Sequence, residues 1–448
     1  MKIKHYFIVL VGLMTMMILA DVSVEDVKCT PRYPWNGLVD IEYTIACDDL
    51  NADIYVNPVG FNGDTGLTVF PTHFTGDGAT NTVKAGRHTM VWDAKADMGN
   101  LFSAKNFQIK MYAGKKLSRY IVIDISGGTN ATEYAVRHSI EGPNLADDTC
   151  RTTEIWIRLI PPGTFMMGSP EDELGRSDNE DLHKVTLTKP YYMGVFEITQ
   201  RQWELVMGDR PSYFNNDAEY ATRPVEYVSM NRVRGNIDPF SQTVGSASFL
   251  GVLRSKTDQN GFDLPSEAQW ENACRAGTLT ALYDGHNLMN TQGCSFLAEL
   301  GRYYVNGYNG GTVSRSDSTD YTTAKVGSYK PNVWGLYDML GNVSEMCRDG
   351  YWKSHGTESV IDPVKGSHSN NDSSNSDYSG EKGYHIVEKG GNWWDSARAS
   401  RSAWRWHCFC QSYSYDYAGE SQASYSRIYQ YRAYKTVGFR LSCSGNLQ

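Results

Sequence analysis

Alternating apolar and polar positions dominate the first part of the chain. In residues 39–46 (VDIEYTIA) every second residue is apolar, and residues 106–112 (NFQIKMY) repeat the pattern. A period of two places one face of a strand on a core and the other towards water. Turns rich in Gly and Asn, such as residues 61–66 (FNGDTG), separate the runs. The pattern predicts an all-β sandwich domain of the immunoglobulin-like type over residues 21–118.

The pattern changes along the second part of the chain. Residues 119–152 are expected to form a connection that begins with an apolar strand, and beyond them Gly, Trp and Tyr become dense. Helix starts are marked by two capping boxes, Thr199 with Gln202 and Ser266 with Gln269. Residues 153–445 are therefore predicted to form a second domain, with short helices between long irregular stretches.

The N-terminus resembles an export signal. Lys2 and Lys4 precede an apolar run at residues 7–19, which is too short to span a bilayer, and Ala20 is a small residue before a polar segment. Residues 1–20 are predicted to be a signal peptide, with an uncleaved anchor as the alternative. We expect a secreted or otherwise extracytoplasmic protein, in the periplasm or on the cell surface, with no transmembrane segment after signal cleavage.

Composition narrows the classes of function. The chain has 448 residues, a net charge of −9 and a charged fraction of 21%. It therefore has no overall excess of positive charge with which to bind nucleic acid or an anionic membrane. Nine cysteines in an exported chain predict disulfides, and their odd number leaves at least one unpaired or paired between chains. The sequence has no CxxC pair and no two histidines within four residues, so a local zinc or HExxH site has no support.

Candidate chemistry centres on residues 334–350 (WGLYDMLGNVSEMCRDG). Asp338 and Glu345 lie seven residues apart, with a Gly-Asn turn between them. A tight turn can point the backbone carbonyls of Gly341 and Val343 to the same side as both carboxylates, and such hard oxygens suit Ca²⁺. The spacing is not that of an EF-hand, so a surface turn with two solvated acids and a catalytic acid pair stay open at this point.

The surrounding segments occur in a recognisable order. They are IPPGTFMMGSPEDE, YYMGVFEITQRQW, RPVEYVSM, LPSEAQWENACRAGT, WGLYDMLGNVSEMCRDG, EKGGNWW and VGFRLSC. Together these motifs resemble the sulfatase-modifying-factor family, whose founding member is the formylglycine-generating enzyme, over residues 154–444. The resemblance implies an α+β fold of the C-type-lectin-like kind with little regular secondary structure. It also implies a structural Ca²⁺ bound by the side chains of Asp338 and Glu345 and the carbonyls of Gly341 and Val343.

The resemblance further implies a copper site that this sequence does not match. The family's enzyme oxidises a substrate cysteine to formylglycine with O₂ and a copper ion held by two cysteines, five residues apart, shortly after a KGGS motif. Here Asp395, Ser396 and Ser400 stand where thiols would be expected, and in another alignment Ser400 matches a family disulfide position instead. Two further departures are Ser344, where the family usually has Trp, and Asn392, where it usually has Ser.

Cys408 and Cys410 are the remaining candidates for a soft metal. On a regular strand their spacing would point both thiols the same way, so they could hold copper if a loop shift brought them to the site. The alternative is that one of them forms a disulfide with Cys274 or another cysteine.

A tyrosine-rich segment at residues 412–434 suggests a different role. Tyr and Ser are typical of binding loops, where they combine rigid aromatic area with adaptable hydrogen bonds. The candidate binding-surface residues are Tyr413, Tyr415, Tyr417, Tyr425, Tyr429 and Tyr431. An ordinary strand pair that packs on the core is the alternative.

The main hypothesis is therefore a non-catalytic, exported scaffold, stabilised by calcium, that binds a protein or glycan ligand. The alternatives are a formylglycine-generating oxidase with displaced copper ligands and a non-heme iron enzyme of the same superfamily.

Overall fold

The computed structural model describes residues 22–444 except for residues 35, 64, 70, 99–105, 216–217, 236–242, 308–321, 367–382 and 413–433. Within these ranges no helix combines the length and the apolar character needed to cross a bilayer.

The N-terminal segment is built almost entirely from strands. Its elements are β1 (Val22–Pro31), β2 (Leu38–Cys47), β3 (Tyr55–Asn62), β4 (Leu67–Val69), β5 (Phe74–Gly76), β6 (Gly86–Asp93), the short helix α1 (Ala94–Met98) and β7 (Phe107–Gly114). One sheet has the order β1-β2-β6-β5 and the other the order β4-β3-β7. Ile41 and Trp92 of the first sheet share a hydrophobic cluster with Val56 and Ile109 of the second. The alternation in β2 is confirmed, while the immunoglobulin-like assignment stays a prediction.

The rest of the chain mixes short helices with further sheets. Its strands are β8 (Tyr120–Asp124), β9 (Ala135–Ser139), β10 (Glu154–Ile160), β11 (Gly163–Met167), β12 (His183–Leu187), β13 (Tyr191–Gly194), β14 (Phe262–Asp263), β15 (Ser344–Gly350), β16 (Val360–Ile361), β17 (Gly383–Lys389), β18 (Arg405–Ser412), β19 (Val437–Gly438) and β20 (Ser442–Ser444). Its α-helices are α2 (Thr149–Thr152), α3 (Gln200–Met207), α4 (Met230–Arg234), α5 (Phe249–Thr257), α6 (Glu267–Arg275) and α7 (Ser295–Leu300). The mixture of sheets and short helices is an α+β fold.

A six-stranded sheet of order β14-β20-β13-β10-β8-β9 forms the centre of this second part. Strand β10 has a nearly continuous apolar sequence, which allows both of its faces to pack against hydrophobic clusters. Ile155 and Ile157 pack into one hydrophobic cluster, whereas Trp156 on the opposite face packs into another. Strands β8 and β9, which lie in the segment expected to be a connection, extend this sheet.

Both predicted capping boxes are confirmed. The Thr199 side chain accepts a hydrogen bond from the Gln202 backbone at the start of α3, and the Gln202 side chain accepts one from the Thr199 backbone. Ser266 and Gln269 do the same at the start of α6. These caps fix the helix ends so that Trp203 and Trp270 are both fully buried.

A four-stranded sheet of order β18-β17-β15-β19 carries the candidate site. Strands β15 and β17 pair antiparallel, and β15 pairs parallel with β19. This sheet places the turn before β15 beside the segment that follows β17.

Candidate functional site

The turn that precedes β15 has a strained backbone. Asp338, Gly341 and Asn342 have φ angles of 54°, 83° and 60°, in the left-handed region. The Asn342 amide donates to the Arg302 carbonyl at 2.7 Å. A Cβ atom at Gly341 would lie 2.2 Å from that same carbonyl oxygen, so this position requires glycine.

Backbone hydrogen bonds join this turn to the segment after β17. The Gly341 amide donates to the Gly390 carbonyl at 2.8 Å, and the Trp393 amide donates to the Asn342 carbonyl at 2.9 Å. At Gly390, where φ is 91°, a Cβ atom would lie 3.1 Å from the indole of Trp270. Two motifs about fifty residues apart in sequence therefore form one structural unit.

Glu345 is held in a buried ion pair. Arg440 donates from Nε to Oε2 and from Nη2 to Oε1 of Glu345, both at 2.6 Å. The indole Nε1 of Trp270 donates to Oε2 at 2.7 Å. Arg440 also donates to the carbonyls of Gly194 and Tyr337. This guanidinium thus connects three separate parts of the fold.

Two further buried carboxyl groups lie near this ion pair. Oδ2 of Asp338 accepts from the Gly327 amide at 2.6 Å, but its Oδ1 is buried without a hydrogen-bond partner. Glu197 accepts from Asn342 Nδ2 at 2.6 Å and from the Val343 amide at 3.1 Å. Burial raises the pKa of Asp338 to about 6, and it raises the pKa of Glu197 together with the charges of Asp338 and Glu345. The positive charge of Arg440 therefore does not fully balance the carboxyl groups of Asp338, Glu197 and Glu345.

The calcium ligand set fits this geometry only in part. Oδ1 of Asp338 is an open hard-oxygen ligand, which suits Ca²⁺. Both oxygens of Glu345 are already bonded by Arg440, so an ion there would share this carboxylate with a guanidinium. Within the described ranges, no group of three or more His, Cys, Asp or Glu side chains is arranged to hold a metal. The set of Asp338, Gly341, Val343 and Glu345 stays a prediction.

Asn392 contacts two other positions at which the sequence departs from the family pattern. Asn392 Nδ2 donates to Ser344 Oγ at 3.0 Å and to Asp395 Oδ2 at 2.6 Å. Burial raises the pKa of Asp395 to about 6. We call Ser344, Asn392 and Asp395 the polar cluster. Nearby in sequence, the hydroxyl of Ser400 is buried without a hydrogen-bond partner.

A buried acid on β17 extends the polar cluster. Glu388 is 7% exposed, and its Oε2 has no hydrogen-bond partner. Burial, and after it the charge of Asp395, raises the pKa of Glu388 to about 8. An acid in this state is protonated near neutral pH and can donate a hydrogen bond.

This pKa predicts how stability depends on pH. An unfolded Glu388 has its ordinary pKa near 4.5, so between this value and about 8 the unfolded state loses a proton that the folded state keeps. The contribution of Glu388 to stability is therefore complete below the unfolded pKa and is lost as the pH rises through about 8. Glu388→Gln should match the wild type at low pH and be more stable above pH 8. Chemical denaturation at both pH values tests this, with exposed Glu141→Gln as the control; parallel pH profiles for wild type and Glu388→Gln would contradict it.

Cys408 and Cys410 both lie on β18, where the pairing with β17 is irregular. Cys408 lies in a hydrophobic cluster with Met346 and Ile386. A register shift between β17 and β18 leaves Cys410 as the extra residue of a bulge, so the regular alternation assumed from the sequence does not hold there. Cys274 donates to Ser402 Oγ, and the described part of the chain contains no disulfide. The alternative of a disulfide between Cys274 and Cys408 is thus not present.

The six tyrosines predicted as a binding surface, from Tyr413 to Tyr431, lie outside the described residues.

Residues 144–418 match the family described as "Sulfatase-modifying factor enzyme 1-like domain". The chain belongs to this family. A formylglycine-generating enzyme from Thermomonospora curvata is 38% identical over 240 residues, which are 46% of this chain and 76% of that one. The mouse formylglycine-generating enzyme is 32% identical over 242 residues, 46% of this chain and 60% of the relative.

Other proteins that are similar to this chain have different names. "Chaperone protein LppX" from Paenibacillus barcinonensis is 29% identical over 189 residues, 38% of this chain and 65% of the relative. The chain thus spans less than two thirds of the length of this protein and of the mouse enzyme. Among solved structures, "Treponema denticola variable protein 1" superposes with a TM-score of 0.44 at 23% identity, over 65% of this chain and 96% of that one.

Proposed function

We propose that this protein is an exported family member that does not oxidise cysteine and instead serves as a calcium-stabilised scaffold for a protein or glycan ligand. The observation that supports this proposal is the polar cluster. Copper(I) prefers soft thiolate ligands. The positions where thiols are expected hold a carboxylate and hydroxyls, and Ser344 and Asn392 hydrogen-bond into the same place. Hard oxygens at these positions do not offer a copper(I) site.

A formylglycine-generating oxidase is the second candidate. Relatives with that name share 32% and 38% identity with this chain. For this activity the copper would need thiols from elsewhere, and Cys408 and Cys410 are the first cysteines that follow Asp395 in sequence. A non-heme iron enzyme is a weaker proposal, because the described residues contain no cluster of His and carboxylate side chains arranged for a metal.

Calcium should stabilise the wild type through Asp338. Asp338→Asn should keep the stability that the protein has in chelator but lose most of the rise in melting temperature on adding calcium. At a calcium concentration about a hundred times Kd, that rise corresponds to about 2.7 kcal/mol. Thermal unfolding in calcium and in EDTA, with exposed Asp172→Asn as the control, measures this. An equal calcium shift in wild type and Asp338→Asn would contradict the site. Glu345→Gln is less informative, because it also breaks the ion pair with Arg440.

The ligand surface is proposed to be the tyrosine-rich segment. Replacing Tyr413, Tyr415, Tyr417, Tyr425, Tyr429 and Tyr431 by alanine should abolish retention on a glycan array while leaving the melting temperature unchanged. Retention equal to that of the wild type would remove these tyrosines from the proposal. A wild type that retains no glycan would exclude the glycan form of the ligand.

A further inference from the structure

A cavity of about 230 Å³ lies between the N-terminal strand segment and the second part of the chain. Its walls carry polar and apolar surface in similar amounts, and both parts of the chain contribute to them. The apolar lining residues are Pro58, Pro71 and Phe74 from the first part and Leu159, Pro161 and Val333 from the second. Clefts between two folded units are frequent sites for small ligands.

Two arginines line the same cavity. Arg158 on β10 pairs across the sheet with Tyr120 on β8, and Arg119 is the residue before Tyr120. The guanidinium of Arg158 lies 5.8 Å from the centroid of the Tyr120 ring. Arg119 Nη2 donates to the Ala79 carbonyl at 3.1 Å, whereas Arg158 Nε is buried without a hydrogen-bond partner.

Neither arginine has a carboxylate partner within the described ranges. Burial lowers the pKa of Arg119 and of Arg158, and the like charge of Arg119 lowers that of Arg158 further. By contrast, three fully buried arginines of the second part of the chain have carboxylate partners. Arg401, Arg405 and Arg440 each make short ion pairs with a glutamate, all at 2.6 Å. Arg119 and Arg158 are half-buried and have no counter-charge among the described residues, so an anion that enters the cavity meets two positive charges that no carboxylate of these residues balances.

We propose that this cavity binds a small organic carboxylate. The ligand's carboxylate pairs with Arg119 and Arg158, and its apolar body packs against Pro58, Phe74 and Leu159. Guanidinium groups match carboxylates in geometry and are less strongly hydrated than ammonium groups. The cavity is smaller than the ~300–1,000 Å³ of sites for drug-sized ligands, which favours a compact molecule. The inference does not depend on the proposed function, since no residue of the polar cluster or of the calcium set lines this cavity.

Calorimetric titration of the full chain with benzoate tests the proposal. Benzyl alcohol serves as the neutral analogue and inorganic phosphate as an anion without an apolar body. We expect saturable binding of benzoate only, and a loss of about tenfold or more in affinity in Arg158→Met, because a charge-assisted hydrogen bond is lost. Arg87→Met, at an exposed position on β6, should bind like the wild type. Equal affinity in Arg158→Met, binding of phosphate but not benzoate, or no benzoate binding up to about 10 mM would each overturn the proposal.

Thermal unfolding of the same proteins gives a second readout. Without ligand, Arg158→Met should melt at a higher temperature than the wild type, because it removes a half-buried charge whose Nε has no hydrogen-bond partner. Benzoate should raise the melting temperature of the wild type and leave that of Arg158→Met unchanged. A lower melting temperature of ligand-free Arg158→Met would mean that the guanidinium already has a partner, and the proposal would fail.

Discussion

Replacement of Arg440 by methionine is expected to lower the free energy of unfolding by about 3–5 kcal/mol. Arg440 and Glu345 are both fully buried, and removal of the guanidinium leaves Glu345 as an uncompensated charge. The loss is increased because Glu197 and Asp338 lie close to the same arginine. Burial raises the pKa of both acids, and the positive charge of Arg440 opposes that rise. Carbonyl groups of Gly194 and Tyr337 also lose their donor.

Urea denaturation measures this effect, and the chain offers a matched control. Arg201 pairs with Glu204 at 2.6 Å, but their side chains are 37% and 26% exposed. A pair that water screens contributes about 0–1 kcal/mol, so Arg201→Met should change stability little. Losses of similar size in the two variants would show that Arg440 does not hold the site together.

The second large effect is expected from Gly341→Ala. The added Cβ would lie 2.2 Å from the Arg302 carbonyl oxygen, which is backbone and accepts the Asn342 amide, so the turn must shift. Left-handed φ adds about 1–3 kcal/mol of strain for a residue with a side chain. We expect a total loss of about 3 kcal/mol or more in the free energy of unfolding, together with loss of the calcium-dependent shift in melting temperature.

Gly356→Ala separates the effect of the close contact from the effect of the left-handed backbone conformation. Gly356 has a similar φ of 76°, but no atom lies within 4 Å of the position that its added Cβ would take. It should therefore show only the conformational cost, about 1 kcal/mol. If both variants lose the same stability in urea denaturation, the close contact with Arg302 is not what fixes the turn.

Local features of this fold could be predicted from the sequence. The alternation in β2 and the two capping boxes depend on residues at most a few positions apart, and neighbouring side chains decide them. Asp338, Gly341 and Glu345 could also be singled out, since a turn with acids on either side is visible in one short stretch. The ordered motifs then indicated the family.

Long-range partners could not be predicted in the same way. Arg440 contacts Glu345 from 95 residues away, and Asn392 contacts Ser344 from 48 residues away. Both residues lie in motifs that the sequence singles out, but their pairing depends on how β15, β17 and β19 assemble. The bulge at Cys410 and the lone guanidinium of Arg158 likewise depend on strand register and on the packing of two separate parts of the chain.

The proposed function requires that the polar cluster does not bind copper. Its most direct test is the elemental content of the purified full chain after exposure to calcium and copper(I) and removal of unbound ions. We expect about one calcium per chain and no retained copper, because the polar cluster offers hard oxygens rather than thiolates. Stoichiometric copper that is retained, together with oxidation of a cysteine in an added peptide, would contradict it.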